Sequence, residues 1–410
     1  MHPPLLPKLL FVPTTPDKLS KNLPRLAGFN ALQMTLFPVA IITLYQSREL
    51  GLDMTEIMLL QGIFGLVMVL AEFPSGYVAD RIGYRRTLMF AAGLGVIGWS
   101  AYLIATDFMG ILLAELILGL SMALISGSDS ALLYESLVAT RQEAAFTRWM
   151  GRIRFTGQGA EGTAALGAGF LYTISPQLPF LLQIPVWAGA FAVAFSLIEP
   201  DRVPQAHSGH LQRMREITRE ALVDNPGLRA MILLITVLGL CSFIPVWIIP
   251  LYAEAAGVPP EWIGPLWAVA NYTVALTAIA STRAESLLGT RQLAFVGVLL
   301  AGLGYLGLSL VHAWWGFVFY FSLTAIRGLV APAMHHVEQR LIPASGDRAA
   351  FLSLRSLLFR LSFFVLGPLV GASIDQTGFH FTLMALGILL VLSTGLAWLH
   401  ARPWLDRLTP

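Results

Sequence analysis

Long apolar runs dominate this chain of 410 residues and restrict it to folds that lie within a membrane. Runs of about 20 apolar residues, the length of a helix that crosses a bilayer, recur along the whole sequence. Hydrophobic residues make up 56% of the chain, charged residues only 12%, and the mean hydropathy is +0.70. Because lipid cannot satisfy backbone polar groups, each run should form an α-helix. The sequence therefore predicts an all-α membrane protein.

Twelve candidate spans account for these runs, and an even number leaves both ends of the chain on the same side. The spans are 27–46, 57–79, 88–106, 109–133, 152–173, 180–198, 230–251, 262–282, 292–311, 314–337, 350–373 and 380–399. Residues 1–26 carry prolines and lysines without a continuous apolar segment. We therefore predict an N-terminal arm there and not a cleaved signal peptide.

Arginine and lysine occur in alternate connections between the spans. The predicted inner segments hold Lys8, Lys18, Lys21, Arg25, Arg81, Arg85, Arg86, Arg141, Arg148, Arg152, five arginines from Arg202 to Arg229, Arg283, Arg291, Arg340, Arg348, Arg402 and Arg407. Arg48 is the only arginine or lysine in the predicted outer loops. Acidic residues, among them Glu49, Asp107, Glu254 and Asp375, fall on the outer side instead. Because positive charge is retained on the cytoplasmic side, we predict a multi-pass protein of the bacterial inner membrane with both termini in the cytoplasm.

One long hydrophilic connection divides the chain into halves that resemble each other. The predicted units are an arm at 1–26, a six-helix bundle at 27–198, a linker at 199–229, a second bundle at 230–400 and a tail at 401–410. The linker contains an amphipathic piece at 211–223. The segments Pro38–Tyr45 and Pro245–Tyr252 are identical at six of eight positions. This similarity predicts two pseudo-symmetric bundles.

A short stretch between spans 2 and 3 combines glycines, one acid and three arginines. It consists of Gly76, Tyr77, Val78, Ala79, Asp80, Arg81, Ile82, Gly83, Tyr84, Arg85 and Arg86. The pattern G-x-x-x-D-R-x-G-x-R-R in this position resembles the signature loop of the major facilitator superfamily. A degraded copy, with Gly289 and Arg291, occurs at nearly the same offset in the second half. The segments 129–136, 340–343 and 352–356 also resemble a bacterial branch loosely related to drug exporters.

The resemblance implies two six-helix bundles that rock about a substrate site near the middle of the membrane. It also implies that the loop at 76–86 latches the cytoplasmic side. In that family an acid at the inner end of helix 4 pairs with a loop arginine, which here implies Glu135 with Arg85 or Arg86. We assign Glu72, one turn before Gly76, to the same cytoplasmic gate.

Charged residues lie within predicted spans 2, 4, 5, 10 and 11, where each costs roughly 2.5–3.5 kcal/mol at mid-membrane. Those inside the span boundaries include Glu72, Glu115, Asp129, Arg154, Glu161, Arg327 and Arg360. None lies in spans 3, 6, 9 or 12, the helices that the resembled family keeps at its periphery. These charges are therefore expected to border a water-filled path.

Individual roles follow from depth and neighbours. Arg327 and Arg360 are predicted to bind an anionic substrate group, or else to form structural ion pairs. Asp129 and Glu161 are predicted proton carriers, with Glu161 also a substrate ligand; structural pairing is the alternative for Asp129. Glu115 replaces an arginine common in the family. His335 and His336 are adjacent and point in different directions, so a joint metal site is not expected.

Together these features predict a secondary active transporter that moves a small organic substrate by alternating access. The predicted substrate is amphipathic and anionic or zwitterionic, and the predicted mode is proton-coupled export. Proton-coupled uptake of an organic anion or a metal-chelating compound is one alternative, and a non-transporting sensor or scaffold is another. We find no phosphate-binding loop, metal-ligand cluster or nucleophile–base pattern. We therefore predict no enzyme activity, cofactor, metal or nucleic-acid partner, and a monomer in the bilayer.

Overall fold

Helices form the architecture of this chain in a computed structural model, which describes residues 16–200, 210–343 and 348–407. We label the successive helices α1 to α12. In the first half they are α1 (Asn22–Met34 and Ile42–Arg48), α2 (Met54–Ile82), α3 (Tyr84–Ile104), α4 (Phe108–Ile125 and Ser128–Ala139), α5 (Phe146–Ile174) and α6 (Leu178–Ser196).

The second half contains six further helices. They are α7 (Pro226–Ala255), α8 (Pro260–Leu288), α9 (Thr290–Leu310), α10 (Val318–Ala325, Ile326–Val330 and Ala331–Leu341), α11 (348–377) and α12 (379–407). Gly378, with a φ of 81°, separates α11 from α12 within the helical run Arg348–Arg407.

By length and composition, nine helices in the described ranges could cross a membrane. This group counts α11 and α12 once, as the run Ala350–Asp406. It leaves out α1, which is broken, and α5, which contains many polar residues. With α1, α5 and a separate α12, the helices are consistent with the twelve predicted spans, and the all-α prediction is confirmed.

The first helix is broken, so the prediction of one continuous span at 27–46 was wrong. Pro38 lies in the gap between Met34 and Ile42, and a proline lacks the N–H that a continuous helix needs. The fully buried Gln183 of α6 spans the gap. Its Nε2 donates to the Thr35 carbonyl at 2.7 Å, and its Oε1 accepts from the Phe37 N–H at 3.1 Å. Another helix therefore satisfies the backbone groups that the break releases.

Each half packs mainly within itself, and the main contacts between the halves are those of α2 with α11 and of α5 with α8, with a smaller one of α1 with α7. Both crossings are close. A Cβ on Gly371 of α11 would lie 2.5 Å from the Met54 carbonyl oxygen, and one on Gly264 of α8 would lie 2.1 Å from the Ala165 carbonyl oxygen. Small residues at these points let the helix backbones touch.

The two ends of the helix bundle differ, and we name them by their residues. The basic face carries Gly83, where α2 meets α3, and the described parts of the connection between α6 and α7, residues 199–200 and 210–225. The opposite face carries the ends of α1 and α7, with Arg48 and Glu254, and Gly378 between α11 and α12. Three close glycine contacts between the halves, at Gly169, Gly264 and Gly371, lie toward the opposite face.

A linker helix, His210–Arg219, continues as a π-helical turn, Glu220–Asp224, and packs on the basic face. Ile217 and Ala221 contact a cluster that includes Leu228 of α7 and Phe351 of α11. This arrangement agrees with the amphipathic piece predicted at 211–223, whereas residues 201–209 of the predicted linker lie outside the described residues.

The structure describes only part of the predicted N-terminal arm and C-terminal tail. Residues 1–15 of the predicted arm lie outside the described residues, as do residues 408–410 of the predicted tail. The helical run continues to Arg407, and Ala401 and Leu405 are fully buried. The unit boundaries stay predictions.

Candidate functional site

Two pairs of opposite charges face each other across the junction of the halves. The Glu161 carboxylate of α5 interacts electrostatically with the Arg327 guanidinium of α10. Glu72 of α2 interacts in the same way with Arg360 of α11. Within the described residues neither pair forms a direct ion pair. Each arginine therefore lies within electrostatic range of an acid from the other half, without contacting it.

Arg327 lies on a π-helical turn, Ile326–Val330, that interrupts α10. Such a turn inserts one extra residue, redirects the side chains around it and is frequent at functional sites. The next residue, Gly328, lies against α8, where an added Cβ would be 2.2 Å from the Val274 carbonyl oxygen. The backbone of α10 is therefore held against α8, while the Arg327 side chain lines a cavity on the other side.

This cavity has a volume of about 330 Å³ and lies between α7, α10 and α11 of the second half. Its lining is mostly apolar, with a few polar and charged side chains. The lining residues are Ile235, Thr236, Leu238, Gly239, Ser242, Phe243, Ile326, Arg327, Ala331, Met334, His335, Arg355 and Phe359. The residues from α7 lie around the middle of that helix, whereas Arg355 and Phe359 lie in the part of α11 nearer the basic face, so the cavity extends from mid-bundle toward that face.

A buried carboxylate neutralises one of the two arginines in the cavity. Arg355 Nε lies 3.0 Å from Glu338 Oε1, and Glu338 is almost fully buried. His335 Nδ1 lies 3.4 Å from the other oxygen of the same carboxylate. Among the described residues Arg327 forms no ion pair. The cavity therefore presents one cation whose charge no contacting acid offsets.

The other predicted ligands lie elsewhere. Arg360 does not line this cavity; it is half-buried at the crossing of α2 and α11, with Nη1 3.7 Å from Met68 Sδ. Glu161 is half-buried on α5, where Gln158 Nε2 donates to its Oε2 at 3.2 Å. The structure thus brings Glu161 and Arg327 near each other and leaves Arg360 apart.

Asp129 lies at the start of a helical segment, where an acid has a structural role independent of proton transport. It lies in the first turn of the second segment of α4, directly after a break at Gly127, whose φ is 84°. Its Oδ1 accepts from the Ser130 N–H at 2.6 Å, and the charge of Arg154 attracts it. An acid in the first turn of a helix is stabilised by the helix dipole. Its predicted proton role stays a prediction.

Glu115 joins four helices of the first half through hydrogen bonds. It is 3% exposed, and its Oε1 accepts from the Tyr102 hydroxyl and from Gln61 Nε2, the latter at 3.1 Å. Gln46 Nε2 donates to the Tyr102 hydroxyl at 3.1 Å. The sequence identified Glu115 only as a departure from the family pattern, because the partners lie 13 or more residues away in the chain.

Polar contacts link the halves at the opposite face. Asp375 of α11 accepts from the Met54 N–H, the Thr55 N–H and the Thr55 hydroxyl at 2.9, 2.9 and 2.6 Å. Arg48, at the end of α1, forms an ion pair with Glu254 near the end of α7. These contacts hold the two halves together at that face.

The sequence profile described as Major Facilitator Superfamily matches residues 26–346. This chain belongs to the major facilitator superfamily. It is therefore a multi-pass membrane protein of transporter type, as the signature loop predicted.

Known proteins agree with this assignment. A protein of Bacillus subtilis (strain 168), the uncharacterized MFS-type transporter YxaM, is 23% identical over 196 residues. That alignment covers 45% of this chain and 44% of YxaM, so the chain matches less than half the length of that relative.

Solved structures share the fold at low sequence identity. The nucleoside transporter NupG has a TM-score of 0.75 at 14% identity, covering 92% of this chain and 98% of its own. A POT family transporter in complex with 5-aminolevulinic acid has a TM-score of 0.73 at 14% identity, covering 97% and 99%. A bacterial homolog of the human lysosomal transporter Spinster has a TM-score of 0.72 at 16% identity, covering 95% and 98%.

The superfamily signature loop has a partner that sequence reasoning missed. Gly83, with a φ of 102°, ends α2 and precedes α3. The Glu199 carboxylate accepts from the Tyr84 and Arg85 N–H groups, each at 2.8 Å. The Arg85 side chain donates from Nη2 to the Phe195 carbonyl at 2.7 Å. Glu199 is the first acid after α6, and that position is the only signal the sequence offered.

The remaining gate residues are mostly solvent-exposed in this structure. Gly76, Asp80, Arg81 and Arg86 are exposed, and Glu135 is half-buried. No ion pair joins Glu135 to Arg85 or Arg86 within the described residues. The Glu135 latch that the superfamily pattern implies stays a prediction for another conformation.

Proposed function

We propose that this superfamily member is a secondary active transporter that moves a small organic substrate with an anionic group by alternating access. The observation that carries this proposal is Arg327, a cation with no ion pair among the described residues, which lines a cavity in one half and interacts electrostatically with Glu161 of the other half. A charge at this depth is costly unless it borders water or a ligand. A substrate that binds Arg327 would weaken its attraction to Glu161 and so couple binding to movement of the halves.

The described conformation supports an inward-facing state in this proposal. The halves are joined at the opposite face by Asp375 and by the pair Arg48–Glu254, whereas the cavity lies toward the basic face. The distribution of arginine and lysine supports a cytoplasmic location for the basic face and for both termini, in a bacterial inner membrane. The cytoplasmic gate at 76–86, with Glu72 and Glu135, would close in the opposite state.

Proton coupling is the second part of the proposal. Glu161 is the first proposed carrier, because it lies on α5 opposite Arg327 of the other half, so movement of the halves would change the distance between the two charges. Asp129 is the second proposed carrier, and the charge of Arg154 attracts it. We propose export as the direction of transport. Uptake of an organic anion is the alternative, because Arg327 and Arg360 would bind an anion in either direction.

Flux into vesicles tests the proposal. The full chain would be reconstituted and assayed with a panel of radiolabelled aromatic and aliphatic carboxylates and amino acids, with and without an imposed pH gradient. We expect accumulation that depends on the gradient in the wild type and is lost in Glu161→Gln. Glu143→Gln, at an exposed position between α4 and α5, is the matched control and should transport normally. Gradient dependence that survives in both Glu161→Gln and Asp129→Asn would reject the proton roles.

The same assay separates direction and class. Accumulation driven by an outward or an inward proton gradient distinguishes export from uptake. Absence of flux for every compound, in vesicles where the protein is folded and oriented both ways, would favour a sensor or scaffold.

A further inference from the structure

We propose that the cavity in the second half binds an aromatic monocarboxylate, with the carboxylate at Arg327 and Thr236 and the ring against Phe243 and Phe359. This inference rests on the proposed transport function and narrows its substrate class. All residues that line the cavity belong to α7, α10 and α11, so the second half alone would hold this substrate.

The charges in the cavity favour a ligand with one negative charge. Arg355 is paired with Glu338, and His335 contacts the same carboxylate, so Arg327 supplies the net charge. A zwitterion or a cation would need an acid that is accessible to the ligand. Glu338 is buried against Arg355, and no acid lines the cavity among the described residues. Glu161, which attracts Arg327, belongs to α5 of the other half and does not line the cavity. A monoanion therefore matches this site better than a zwitterion does.

An unused hydroxyl marks the polar end of the site. Thr236 is 6% exposed, and its Oγ1 is buried without a hydrogen-bond partner among the described residues. By contrast, the neighbouring Ser242 already donates to the Gly239 carbonyl at 3.1 Å. Buried hydroxyls are nearly always hydrogen-bonded. A buried hydroxyl without a partner, on a residue that lines a cavity, therefore indicates a ligand that carries a hydrogen-bond acceptor. A carboxylate oxygen would accept from Thr236 while Arg327 binds the charge.

Aromatic side chains form the apolar wall. The ring of Phe243 packs edge to face with Phe359 and Phe363, with centroid distances of 5.4 and 4.9 Å, and with Trp247 at 6.0 Å. Phe243 and Phe359 both line the cavity, so a ligand ring can extend this edge-to-face packing. The volume of about 330 Å³ is at the small end of ligand sites and suits one ring system with a short side chain.

Direct binding to the purified full chain in nanodiscs tests this assignment. The probes are benzoate, phenylacetate and 1-naphthoate, each compared with its neutral amide, and cyclohexanecarboxylate and acetate as non-aromatic acids. We expect each aromatic acid to bind at least tenfold more tightly than its amide, because a charge-assisted contact with Arg327 is lost in the amide. Cyclohexanecarboxylate should bind several-fold more weakly, and acetate more weakly still.

Variants assign the contacts. Arg327→Gln should weaken benzoate binding about tenfold or more and leave benzamide binding unchanged, with partial recovery in Arg327→Lys. Thr236→Val keeps the side-chain volume and should weaken benzoate binding several-fold. This variant keeps the inference testable if an Arg327 variant does not fold. Arg283→Gln, at an exposed position on α8 outside the cavity, is the matched control and should bind like the wild type.

The outcomes separate this inference from the transport proposal. The inference would be overturned if acids and amides bound equally. It would also be overturned if no aromatic acid bound at about 10 mM, an order-of-magnitude ceiling for useful affinity. Benzoate binding that is insensitive to Thr236→Val and Arg327→Gln would overturn it as well. Flux of a cationic or zwitterionic compound without competition by benzoate would also overturn it and leave transport standing. Specific benzoate binding without flux of any compound would support the site and reject transport.

Discussion

Asp375 of α11 accepts two hydrogen bonds from Thr55 of α2, from the backbone N–H at 2.9 Å and from the hydroxyl at 2.6 Å. The same carboxylate accepts from the Met54 N–H, so a residue of the second half caps a helix of the first half. Side-chain caps of this kind contribute about 0.5–2 kcal/mol. This cap stabilises the contact between the halves at the opposite face.

Asp375→Ala, which removes the cap, should therefore open the opposite face more often. A reporter cysteine at Ser47→Cys, in a Cys241→Ser background, should react with a membrane-impermeant maleimide roughly 2- to 30-fold faster, because the population ratio follows the lost cap energy. Ser47 lines a pocket beside Asp375 at that face. The measurement is the labelling rate in nanodiscs.

Asp107→Ala is the matched control for this experiment. Asp107 also caps a helix, through the Gly110 N–H at 2.8 Å, but helix and cap belong to the same half. Its labelling rate should equal that of the parent. Equal rates in the Asp375 and Asp107 variants would show that the cap between the halves does not control opening.

Tyr102→Phe should destabilise the first half. The change removes the hydroxyl that donates to the buried Glu115 carboxylate and leaves that oxygen with Gln61 as its remaining donor. Loss of one partner of a buried polar group costs about 1–3 kcal/mol. The measurement is the midpoint of thermal unfolding in detergent. Tyr134→Phe, at an exposed tyrosine of α4, should leave the midpoint unchanged, and an equal midpoint in both variants would contradict a stabilising role for the network.

Gly328→Ala should destabilise the packing of α10 on α8. An alanine Cβ would lie 2.1 Å from Thr277 Oγ1 and 2.2 Å from the Val274 carbonyl oxygen, and the backbone atom cannot move aside cheaply. Overpacking of this kind costs about 1–3 kcal/mol. We expect a lower unfolding midpoint and weaker substrate binding, since Arg327 precedes the clash.

Gly162→Ala provides the comparison for this change. Gly162 lies within α5, but an added Cβ there would meet nothing within 4 Å. Alanine is favoured over glycine inside a helix by about 1 kcal/mol, so the midpoint should stay the same or rise. Similar midpoints for the two alanine variants would mean that the α8–α10 contact can relax.

Glu199→Ala should loosen the start of α3. It removes the acceptor for the Tyr84 and Arg85 N–H groups, a loss of about 0.5–2 kcal/mol by analogy with other helix caps. Hydrogen exchange at these two amides should accelerate roughly 2- to 30-fold, measured by mass spectrometry of the peptide that spans 83–90. Glu143→Ala should leave that peptide unchanged. Protection that persists in Glu199→Ala would assign the stability of the loop to other contacts.

Several features of this protein were predictable from the sequence. The all-α membrane fold follows from runs of apolar residues, since hydrophobicity adds up along a segment and lipid accepts only backbone that is hydrogen-bonded within itself. The loop at 76–86 was sufficient for the family. Arg327 was identifiable by its depth within an apolar run, because the cost of burying a charge depends on the local segment.

Other features were decided only by the tertiary structure. Gln183 bridges the break in α1, Glu199 caps the signature loop, and Glu338 neutralises Arg355 at the cavity. These relations depend on distances between helices that are far apart in the chain, and composition contains no such distances. Apolar character is a property of each residue, whereas a hydrogen bond or an ion pair is a property of two residues that packing brings together. The sequence by itself therefore determined the membrane fold and its family. Packing determined which of the charged residues within the spans lines a cavity without a contacting acid, namely Arg327.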